Sequence, residues 1–314
     1  IKGGLISKAE VIRGKFENVK LHVNELIYLT PDGAGKAGLL VPSANSTSFR
    51  NITFNFYKNG NNSLVLVSAN ETAINAGLIA GSVVQASKYE AVKIQDISIR
   101  INNLRTSDTI ILKVDNLSQP DRNDESVYTH NVGLYVGSIT SASEGNVAAV
   151  VLSIKAPDVW DGTTPTNGSV LPKIEVTGKQ VETVRNRNLN FGGYFGSVQA
   201  AGTTLTLYKE KDYVQKLKLS NAVKTYQLNE GGLIGDAALQ SFTIINQTGN
   251  DEKVVLDTEL EFSEDQQKSN IGSMFGHVSG TFTIDDTFGG IQAKITTKSA
   301  TLDPYIESGK PSYG

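Results

Sequence analysis

Three carboxylates that alternate along one predicted strand are the clearest candidate for chemistry in this sequence. In VLDTELEFSED, Asp257, Glu259 and Glu261 fall on one strand face, opposite an apolar face. Same-face residues are ~7 Å apart along a strand, so the row needs a neutralising partner. Bound Ca²⁺ is one solution, because it takes oxygen ligands. The pattern favours cross-strand lysines instead, and KEKDYVQKLKL offers Lys216 and Lys218 on one strand face.

A second oxygen-rich segment is PDRNDES, which carries Asp121 and Asp124 close together. It lacks the twelve-residue ligand spacing of an EF-hand, so Ca²⁺ is again the alternative and not the expectation. We therefore expect no cofactor and no metal, with structural Ca²⁺ at these two acidic segments as the alternative.

The glycines of DGAGKAG match the GxGxxG spacing of a dinucleotide-binding loop. Gly33, Gly35 and Gly38 follow a strand-like segment, but the next residues, LLVPSANSTS, have no helical period. The motif binds pyrophosphate where a helix begins, because the helix N-terminus supplies the amide donors. Lys36 is followed by Ala37 instead of Ser or Thr, which also excludes a phosphate P-loop. We interpret the segment as a turn.

The three histidines give no sign of a catalytic or metal-binding group. His22, His130 and His277 are far apart in sequence, and no HExxH spacing is present. The sequence also lacks a GxSxG elbow, an SxxK motif and cysteine, so no nucleophile signature is found. We expect three independent histidines at or near the surface, His130 in a polar loop, and a protein that is not an enzyme.

Asn-x-Ser/Thr sequons occur seven times and would accept N-linked glycans in an exported protein. Several fall in segments rich in turn-forming residues, where glycosylated asparagines are commonly exposed. The candidates are Asn45, Asn51, Asn61, Asn70, Asn116, Asn167 and Asn246. If they are used, the chain is a glycoprotein.

Phenylalanine precedes glycine at Phe191, Phe195, Phe275 and Phe288. Exposed aromatic rings stack on sugars, whereas a ring beside a glycine in a bent strand fills a core. We favour the core for these four residues.

The composition describes a chain that can form a hydrophobic core and carries little net charge. Its 314 residues are 39% hydrophobic, and 29 Lys plus Arg against 32 Asp plus Glu give a net charge of −3. Nucleic-acid binding needs a strongly basic face, so we expect none. No apolar run reaches the ~18 residues of a membrane-spanning helix. The chain begins at Ile1 and its one methionine is Met274, from which we expect removal of an N-terminal segment.

Alternation of apolar and polar residues with period two dominates the sequence. In RNITFNFYKNGNNSLVLV two such runs flank the turn-forming KNGNN, which predicts a β-hairpin. TLTLYKEKDYVQKLKL and FTIINQTGNDEKVVLDTELEF repeat the pattern. Short helices are predicted at NETAINAGLIAG (70–81) and GKQVETVRNRN (178–188). We expect an all-β fold, an antiparallel β-sandwich or a jelly-roll-like structure.

One short segment returns later in the chain, KFENVKL (15–21) as KYEAVKI (88–94). After the second copy, the apolar phase changes between Ile94 and Ile97; after the first copy it changes between residues 23 and 26. A change of phase within a strand is typical of a β-bulge. We interpret both segments as long, bent strands and favour chance over duplication as the origin of their likeness.

The proline- and glycine-rich APDVWDGTTPTNGSVLP is the best internal boundary. We expect an extended arm at 1–12, a β domain at 13–156, a linker or long loop at 157–172, a second β domain at 173–302 and a C-terminal arm at 303–314. Extended arms often dock on a neighbouring subunit by adding a strand to its sheet.

These features together indicate a structural protein. The main hypothesis is an exported, extracellular subunit that self-assembles into a cell-surface filament, pilus or lattice, a homopolymer held by donated strands. The alternatives are a virion structural protein, such as a tail-tube or capsid-associated β protein, and a carbohydrate-binding adhesin that uses exposed Trp160 and Tyr194. The assembly residues of the main hypothesis are the apolar side chains of the N-terminal arm, Ile1, Leu5, Ile6, Val11 and Ile12.

Overall fold

The computed structural model describes residues 4–6, 10–57, 63–69, 72–102, 109–121, 124–142, 148–155, 158–160, 172–179, 186–200, 202–209, 215–246, 254–263, 266–279 and 288–298. These residues form 27 β-strands in four sheets and contain no helix.

Each sheet is a stack of short strands. Sheet I contains β1 (Val11–Ile12), β5 (Val41–Asn45), β9 (Ala80–Gln85), β13 (Val136–Ser141), β18 (Phe195–Gln199), β22 (Ile234–Ala238) and β26 (Phe275–Ser279). Sheet II contains β2 (Lys15–Val23), β6 (Ser48–Tyr57), β10 (Val92–Asn102), β14 (Val150–Ile154), β15 (Asp158–Trp160), β19 (Thr204–Lys209) and β23 (Ser241–Asn246). Sheet III contains β3 (Ile27–Leu29), β7 (Ser63–Ser68), β11 (Thr109–Leu117), β16 (Pro172–Gly178), β20 (Gln215–Ala222), β24 (Val254–Ser263) and β27 (Phe288–Lys298). Sheet IV contains β4 (Lys36–Gly38), β8 (Asn75–Gly77), β12 (Tyr128–Gly133), β17 (Arg187–Gly192), β21 (Thr225–Gly231) and β25 (Gln266–Gly272).

The chain passes through sheets II, III, IV and I in turn and then repeats this circuit, which we call a coil. Coil one is β2–β5, coil two β6–β9, coil three β10–β13, coil four β14–β18, coil five β19–β22 and coil six β23–β26, after which β27 adds to β24. All strand pairs among the described residues are parallel, and strands of successive coils lie side by side. This is the arrangement of a parallel β-helix. The prediction of an antiparallel sandwich or jelly roll is therefore wrong.

The predicted β-hairpins are wrong for the same reason. β6 and β7 are consecutive in sequence but belong to sheets II and III, and the same holds for β19 with β20 and for β23 with β24. Alternation of apolar and polar residues indicates that one face of a strand is buried. It does not indicate which other strand pairs with it. The turn-forming residues between these strands lie outside the described residues.

The first predicted helix is also wrong, because its C-terminal half forms β8 and the start of β9. Of the second predicted helix, residues 180–185 lie outside the described residues, and Arg187 begins β17. The first segment leads into sheet IV, where parallel pairing with neighbouring coils outweighs a weak local helix preference.

Apolar side chains stack in columns inside the coils and form the core. In sheet II, Phe49 of β6 is in register with Ile94 of β10, and Ile52 is in register with Ile97. All four side chains are buried. Phe16 of β2 extends the first column, and its ring stacks on Phe49 with 5.1 Å between the centroids. Burial of one such side chain contributes about 1.5–3 kcal/mol, so the columns hold successive coils together.

A β-bulge is stacked through the first three coils of sheet II. Asn18, Asn51 and Asp96 have positive φ angles of 58°, 51° and 55°. The pairing skips all three residues together, so each strand has one unpaired residue at the same place in its coil and its inward-facing positions change phase there. The change of phase predicted in the later segment is therefore located at Asp96. In the earlier segment the bulge lies at Asn18, and the predicted position between residues 23 and 26 is wrong.

The two echoing segments do not occupy equivalent positions. Through β6, Phe16 lies in register with Ile94, whereas its sequence counterpart is Tyr89, which is exposed and precedes β10. The resemblance between the segments is therefore not a structural repeat.

Sheets IV and I approach each other closely along a column of glycines. A Cβ atom on Gly235 would lie 2.5 Å from the Phe191 nitrogen and 2.6 Å from the Gly196 oxygen, so only glycine permits this approach. The members of the column are Gly81, Gly137, Gly196, Gly235 and Gly276. Pro42 takes the corresponding place in coil one.

Strands of the two predicted domains stack in the same four sheets. β14 pairs with β19 in sheet II, and β12 pairs with β17 in sheet IV. Within the predicted linker the structure describes β15, which pairs with β10, and the first residue of β16. The predicted C-terminal arm, 303–314, lies outside the described residues.

Candidate functional site

Strand β2 of coil one has a free edge among the described residues. Its strand β2 pairs with β6 on one side, and the structure describes no partner on the other side. Phe16, Val19 and Leu21 point to the interior but are half-buried, whereas Phe54, which is in register with Leu21, is fully buried. The edge therefore presents unpaired backbone groups beside an incompletely covered apolar row, which is the geometry that strand addition uses.

Part of the predicted N-terminal arm lies against its own chain. The amides of Leu5 and Ile6 donate hydrogen bonds of 2.9 Å to the carbonyls of Leu39 and Leu40. β1, which contains Val11 and Ile12, pairs in parallel with β5. Leu5, Ile6 and Ile12 keep exposed fractions of 48%, 39% and 61%, and Ile1 lies outside the described residues.

A band of lysines and carboxylates runs across sheet III through successive coils. The carboxylate of Glu175 lies 2.8 Å from Lys173 Nζ and 3.3 Å from Lys113 Nζ. Burial alone would raise the pKa of Glu175, but its hydrogen bonds and ion pairs with the two lysines outweigh burial and lower the pKa. The band is therefore neutralised internally.

The predicted acidic row continues this band in coil six. Lys218 Nζ lies 2.6 Å from Glu261 and 3.7 Å from Glu259, and Ser220 Oγ donates to Glu261 at 3.1 Å. The structure thus places a cross-strand lysine against two of the three carboxylates. Lys216 and Asp257 are in register, but their side chains lie outside the described part of the structure.

The other acidic segment is exposed and locally hydrogen-bonded. Asp124 Oδ1 accepts a hydrogen bond of 2.8 Å from the Ser126 amide. Hydrogen bonding by the Ser126 side chain, and secondly by its amide, lowers the pKa of Asp124. The Asp124 amide donates to the Asp121 carbonyl. Among the described residues, no three histidines or carboxylates converge as metal ligands would.

A ladder of asparagines, one in each of coils two to six, runs along sheet IV. In each rung, Nδ2 donates to the Oδ1 of the asparagine one coil earlier, at 2.7–2.8 Å. The asparagine ladder consists of Asn75, Asn131, Asn190, Asn229 and Asn270. Sequence analysis missed it, although an Asn-x-Gly triplet marks every rung, because the sequence spacings of 56, 59, 39 and 41 residues hide the period.

His130 and Arg187 occupy the buried corner between sheets III and IV. His130 Nδ1 accepts from the Ile74 amide at 3.1 Å, so Nε2 carries the proton that is donated to the Ser118 carbonyl at 2.9 Å. Burial lowers the pKa of His130 to about 4; the Ser118 bond opposes this shift and the Arg187 charge adds to it. The prediction that His130 lies in a polar loop near the surface is wrong, because β12 turns the side chain into the core.

Arg187 fastens three coils at this corner. Its guanidinium donates to the carbonyls of Leu117 at 3.0 Å, Lys179 at 3.2 Å and Lys224 at 2.8 Å, in coils three, four and five. Burial lowers the pKa of Arg187 to about 10. The guanidinium N–H groups of Arg187 donate to backbone carbonyls at the ends of sheet III strands. Arg187 therefore has a structural role.

Glu230 is a fully buried carboxyl. It lies in register with Phe191 and Ile271, and among the described residues neither of its carboxylate oxygens has a hydrogen-bond partner. Burial raises the pKa of Glu230 to about 8; the neighbouring Asn221 side chain opposes the rise without reaching ordinary bond geometry, and the charge of Glu261 adds to it. The carboxyl is therefore mainly protonated at neutral pH.

The other histidines occupy separate environments. His22 is exposed, stacks on Tyr57 with 6.2 Å between centroids, and lines an open groove of about 520 Å³ formed by residues 22–28. His277 is exposed and its Nδ1 lies 2.7 Å from Asp236 Oδ1. His22 lies in coil one and His277 in coil six, so the fold brings neither together with His130.

The GxGxxG segment forms a turn that leads into β4. Asp32 Oδ1 accepts from the amides of Ala34 at 2.9 Å and Lys36 at 2.8 Å, and Gly35 has a φ of 74°. No helix begins there, so the amide cradle of a dinucleotide site is not formed.

Aromatic residues that were candidates for sugar binding lie mostly in the core. Phe191, Phe195 and Tyr194 are fully buried, and Tyr194 packs edge-on against Tyr135 at 5.0 Å. The prediction of an exposed Tyr194 is therefore wrong, because Tyr194 lies where sheets IV and I meet. Phe275 is half-buried, and the side chains of Trp160 and Phe288 lie outside the described residues.

The sequons fall on strands as well as between them. Asn51 and Asn116 are exposed, each with positive φ within a strand, and Asn45 ends β5 half-buried. Asn246 ends β23, with its side chain outside the described part. The sequons Asn61, Asn70 and Asn167 lie outside the described residues.

No family model matches the chain, and searches of curated proteins and of solved structures found no match either. The described residues include no helix long and apolar enough to cross a membrane.

Proposed function

We propose that this chain is a non-enzymatic structural subunit, exported from the cell, that self-assembles into a filament, pilus or lattice at the cell surface. Copies join by β-strand addition. The observation that carries the proposal is the free edge of coil one, where the nine-residue strand β2 has one described partner and its inward side chains are half-covered.

The parallel arrangement gives this edge a direction. Every described strand pair runs parallel, so a strand donated by one copy can lie beside β2 of another and continue the same ladder. The edge of β2 and the strand that lies beside it come from different surfaces of the protein, so the contact between copies is head-to-tail. A head-to-tail contact that does not close into a ring propagates into a fibre.

The non-enzymatic part of the proposal is supported by how the polar side chains are used. Lys113 and Lys173 neutralise Glu175, and Lys218 neutralises Glu261. Arg187 binds backbone carbonyls. Such groups hold one coil to the next and are not free to act on a substrate.

The extracellular part is supported by the sequons. Asn51 and Asn116 are exposed, so glycans there would project from the coil surface. Mass spectrometry of the native protein tests this part, and unmodified asparagines in protein from a glycosylating host would remove its support.

A paired substitution tests assembly at the edge. Val19→Lys with Leu21→Lys places two inward charges in β2, which native proteins use to block edge pairing. We expect the unmodified chain to form polymers in sedimentation velocity and the double variant to stay monomeric. Lys20→Thr, on the outer face of the same strand, is the matched control and should polymerise. Melting curves must show that both variants are folded; a folded double variant that polymerises normally would contradict the proposal.

A further inference from the structure

The stack of six complete coils carries part of a further coil at each end. Ahead of coil one, residues 4–6 and β1 form a segment that we call coil zero. Residues 4–6 lie against the corner between β4 and β5, and β1 pairs with β5, so coil zero occupies that corner and sheet I. Beyond coil six, β27 pairs with β24 and occupies sheet III. The two partial coils therefore fill different sheets.

Residues 4–6 repeat the corner that joins sheet IV to sheet I in the complete coils. At this corner an amide of one coil donates to the carbonyl at the same place in the next coil, as Leu78 does to Leu134. Leu5 donates to Leu39 in the same way. The equivalent triplets of coil zero, coil one and coil six are Gly4-Leu5-Ile6, Gly38-Leu39-Leu40 and Gly272-Ser273-Met274.

Both ends of the stack leave apolar side chains uncovered that are buried in the coils between. Leu5 and Ile6 are exposed, whereas their counterparts in coils one to three are buried. At the other end, Met274 and Val278 are only half-buried. Uncovered apolar surface of this kind indicates a contact.

We propose that coil zero of one copy and β27 of another lie in the same layer and together form one coil, which we call the shared coil. In it, β1 pairs with β26 of the other copy, β3 pairs with β27, and residues 4–6 lie on the corner that follows β25. Coil one cannot lie directly on coil six, because β27 already occupies the place beside β24 and β1 the place beside β5. This inference rests on the proposed function, and the occupant of both edges is a second copy of this chain.

The core column of sheet I supports this register. Val11 in β1 and Val278 in β26 are the half-buried ends of one column, aligned through the strands between them. In the shared coil, Val11 would cover Val278 of the other copy, and the column would continue from copy to copy. The members between the two ends are all buried and are Ala44, Val83, Ile139, Val198 and Ala237.

A column of sheet III gives the same register independently. Ile27 in β3 is its half-buried end, and Ile295 in β27 holds the last position in register with it. The buried members between them are Val65, Leu112, Ile174, Leu219 and Leu260. Both columns therefore require the same displacement between copies, namely the six complete coils plus the shared one.

Val11 and Val278 cannot meet within one chain. β1 and β26 are the outer strands of the seven-stranded sheet I, and six strand spacings of ~4.8 Å place them ~29 Å apart. In the shared coil their Cα atoms would be one spacing apart, within the range of about 4.4–6.8 Å that a disulfide spans. Because the chain has no cysteine, a disulfide between cysteines introduced there would report a contact between copies.

Disulfide trapping of the assembled protein tests the shared coil. After oxidation, the double variant Val11→Cys with Val278→Cys should give covalent dimers, trimers and longer species on non-reducing denaturing gels. Each single variant should remain monomeric on these gels, and an equimolar mixture of the two should stop at the dimer. Val11→Cys with His277→Cys is the matched control. His277 is exposed on the opposite face of β26, so we expect at least about tenfold less covalent product.

The outcomes separate this inference from the proposed function. If the double variant polymerises in sedimentation velocity but yields no covalent species, the shared coil is wrong and assembly through another register stands; another occupant, such as residues 299–314 of the same chain, then covers β26. Covalent dimers from Val278→Cys alone would also overturn it, because they require two copies that meet tail to tail. If the unmodified chain forms no polymer at any concentration, both the shared coil and the proposed function are wrong.

Discussion

Asn190 donates a 2.8 Å hydrogen bond to Asn131, although 59 residues separate them in sequence. The bond exists because the two asparagines occupy the same place in successive coils, where parallel pairing brings their strands side by side. Asn190 Oδ1 also accepts a hydrogen bond of 2.8 Å from Asn229, so the side-chain amide bonds to the coil before it and the coil after it. Identical residues stacked in this way hold the coils in a fixed register.

The close approach of sheets IV and I leaves no room for a side chain at Gly235 of the glycine column. In Gly235→Ala the new methyl would meet the backbone of Phe191 and Gly196, which cannot move without displacing a coil. We expect a loss of about 3 kcal/mol in the free energy of unfolding.

Gly33→Ala is the matched control for this substitution. A Cβ at Gly33 meets no atom of the described residues within 4 Å, so the free energy of unfolding should change by less than about 0.5 kcal/mol. Denaturant titration of both variants measures the difference; equal losses would contradict the packing described for the column.

His130 should weaken the fold in mild acid. Its pKa is about 4 in the folded chain, below the ordinary value of 6.5, so the unfolded chain binds the proton first as pH falls. Stability is therefore retained above pH 6.5 and lost progressively between pH 6.5 and 4, by on the order of 3 kcal/mol.

Nitrogen-15 NMR of the imidazoles measures this directly. We expect His130 to remain the neutral Nε2–H tautomer until the pH approaches 4, since Nδ1 accepts from the Ile74 amide. A titration of His130 above pH 6 would show that its side chain is not buried as described.

Glu230 should weaken the fold as the pH rises, whereas His130 weakens it as the pH falls. Its pKa is raised to about 8 from the ordinary 4.5, so the folded chain holds a proton that the unfolded chain releases. Stability from this group is complete below pH 4.5 and is lost as pH rises from 4.5 to 8, by on the order of 5 kcal/mol.

Glu230→Gln removes the ionisation and keeps the shape of the side chain. Denaturant titrations between pH 5 and 8 should show a flatter pH dependence for this variant than for the unmodified chain, while Glu17→Gln, which alters an exposed carboxyl, should follow the unmodified chain. An unchanged slope in Glu230→Gln would contradict the burial of the carboxyl.

The strands and their buried faces were accessible from sequence because both depend on local alternation. Alternation of apolar and polar residues predicts the change of phase at Asp96. It also predicts a lysine partner for Glu259 and Glu261. The direction of pairing was not accessible, because it is set by residues one coil away. The buried role of His130 was missed because its inward position depends on parallel pairing with Leu189 and not on neighbouring residues.

The repeat itself was hidden by unequal coil lengths. Asn75 and Asn131 are 56 residues apart, while Asn190 and Asn229 are 39 apart, so no constant period exists in the sequence. The structural signal is a triplet, Asn-x-Gly at the end of sheet IV, combined with a glycine four residues later.

Electron cryomicroscopy of the unmodified chain, concentrated under native conditions, tests the central claim most directly. If copies add coil upon coil, the coil axis becomes the filament axis, and we expect filaments with a 4.7–4.8 Å repeat along that axis. Dispersed single particles at every concentration, or filaments whose strands run along the axis, would contradict head-to-tail strand addition. Dispersed particles would instead indicate that the outward charges of β2, such as Lys15 and Lys20, protect the edge.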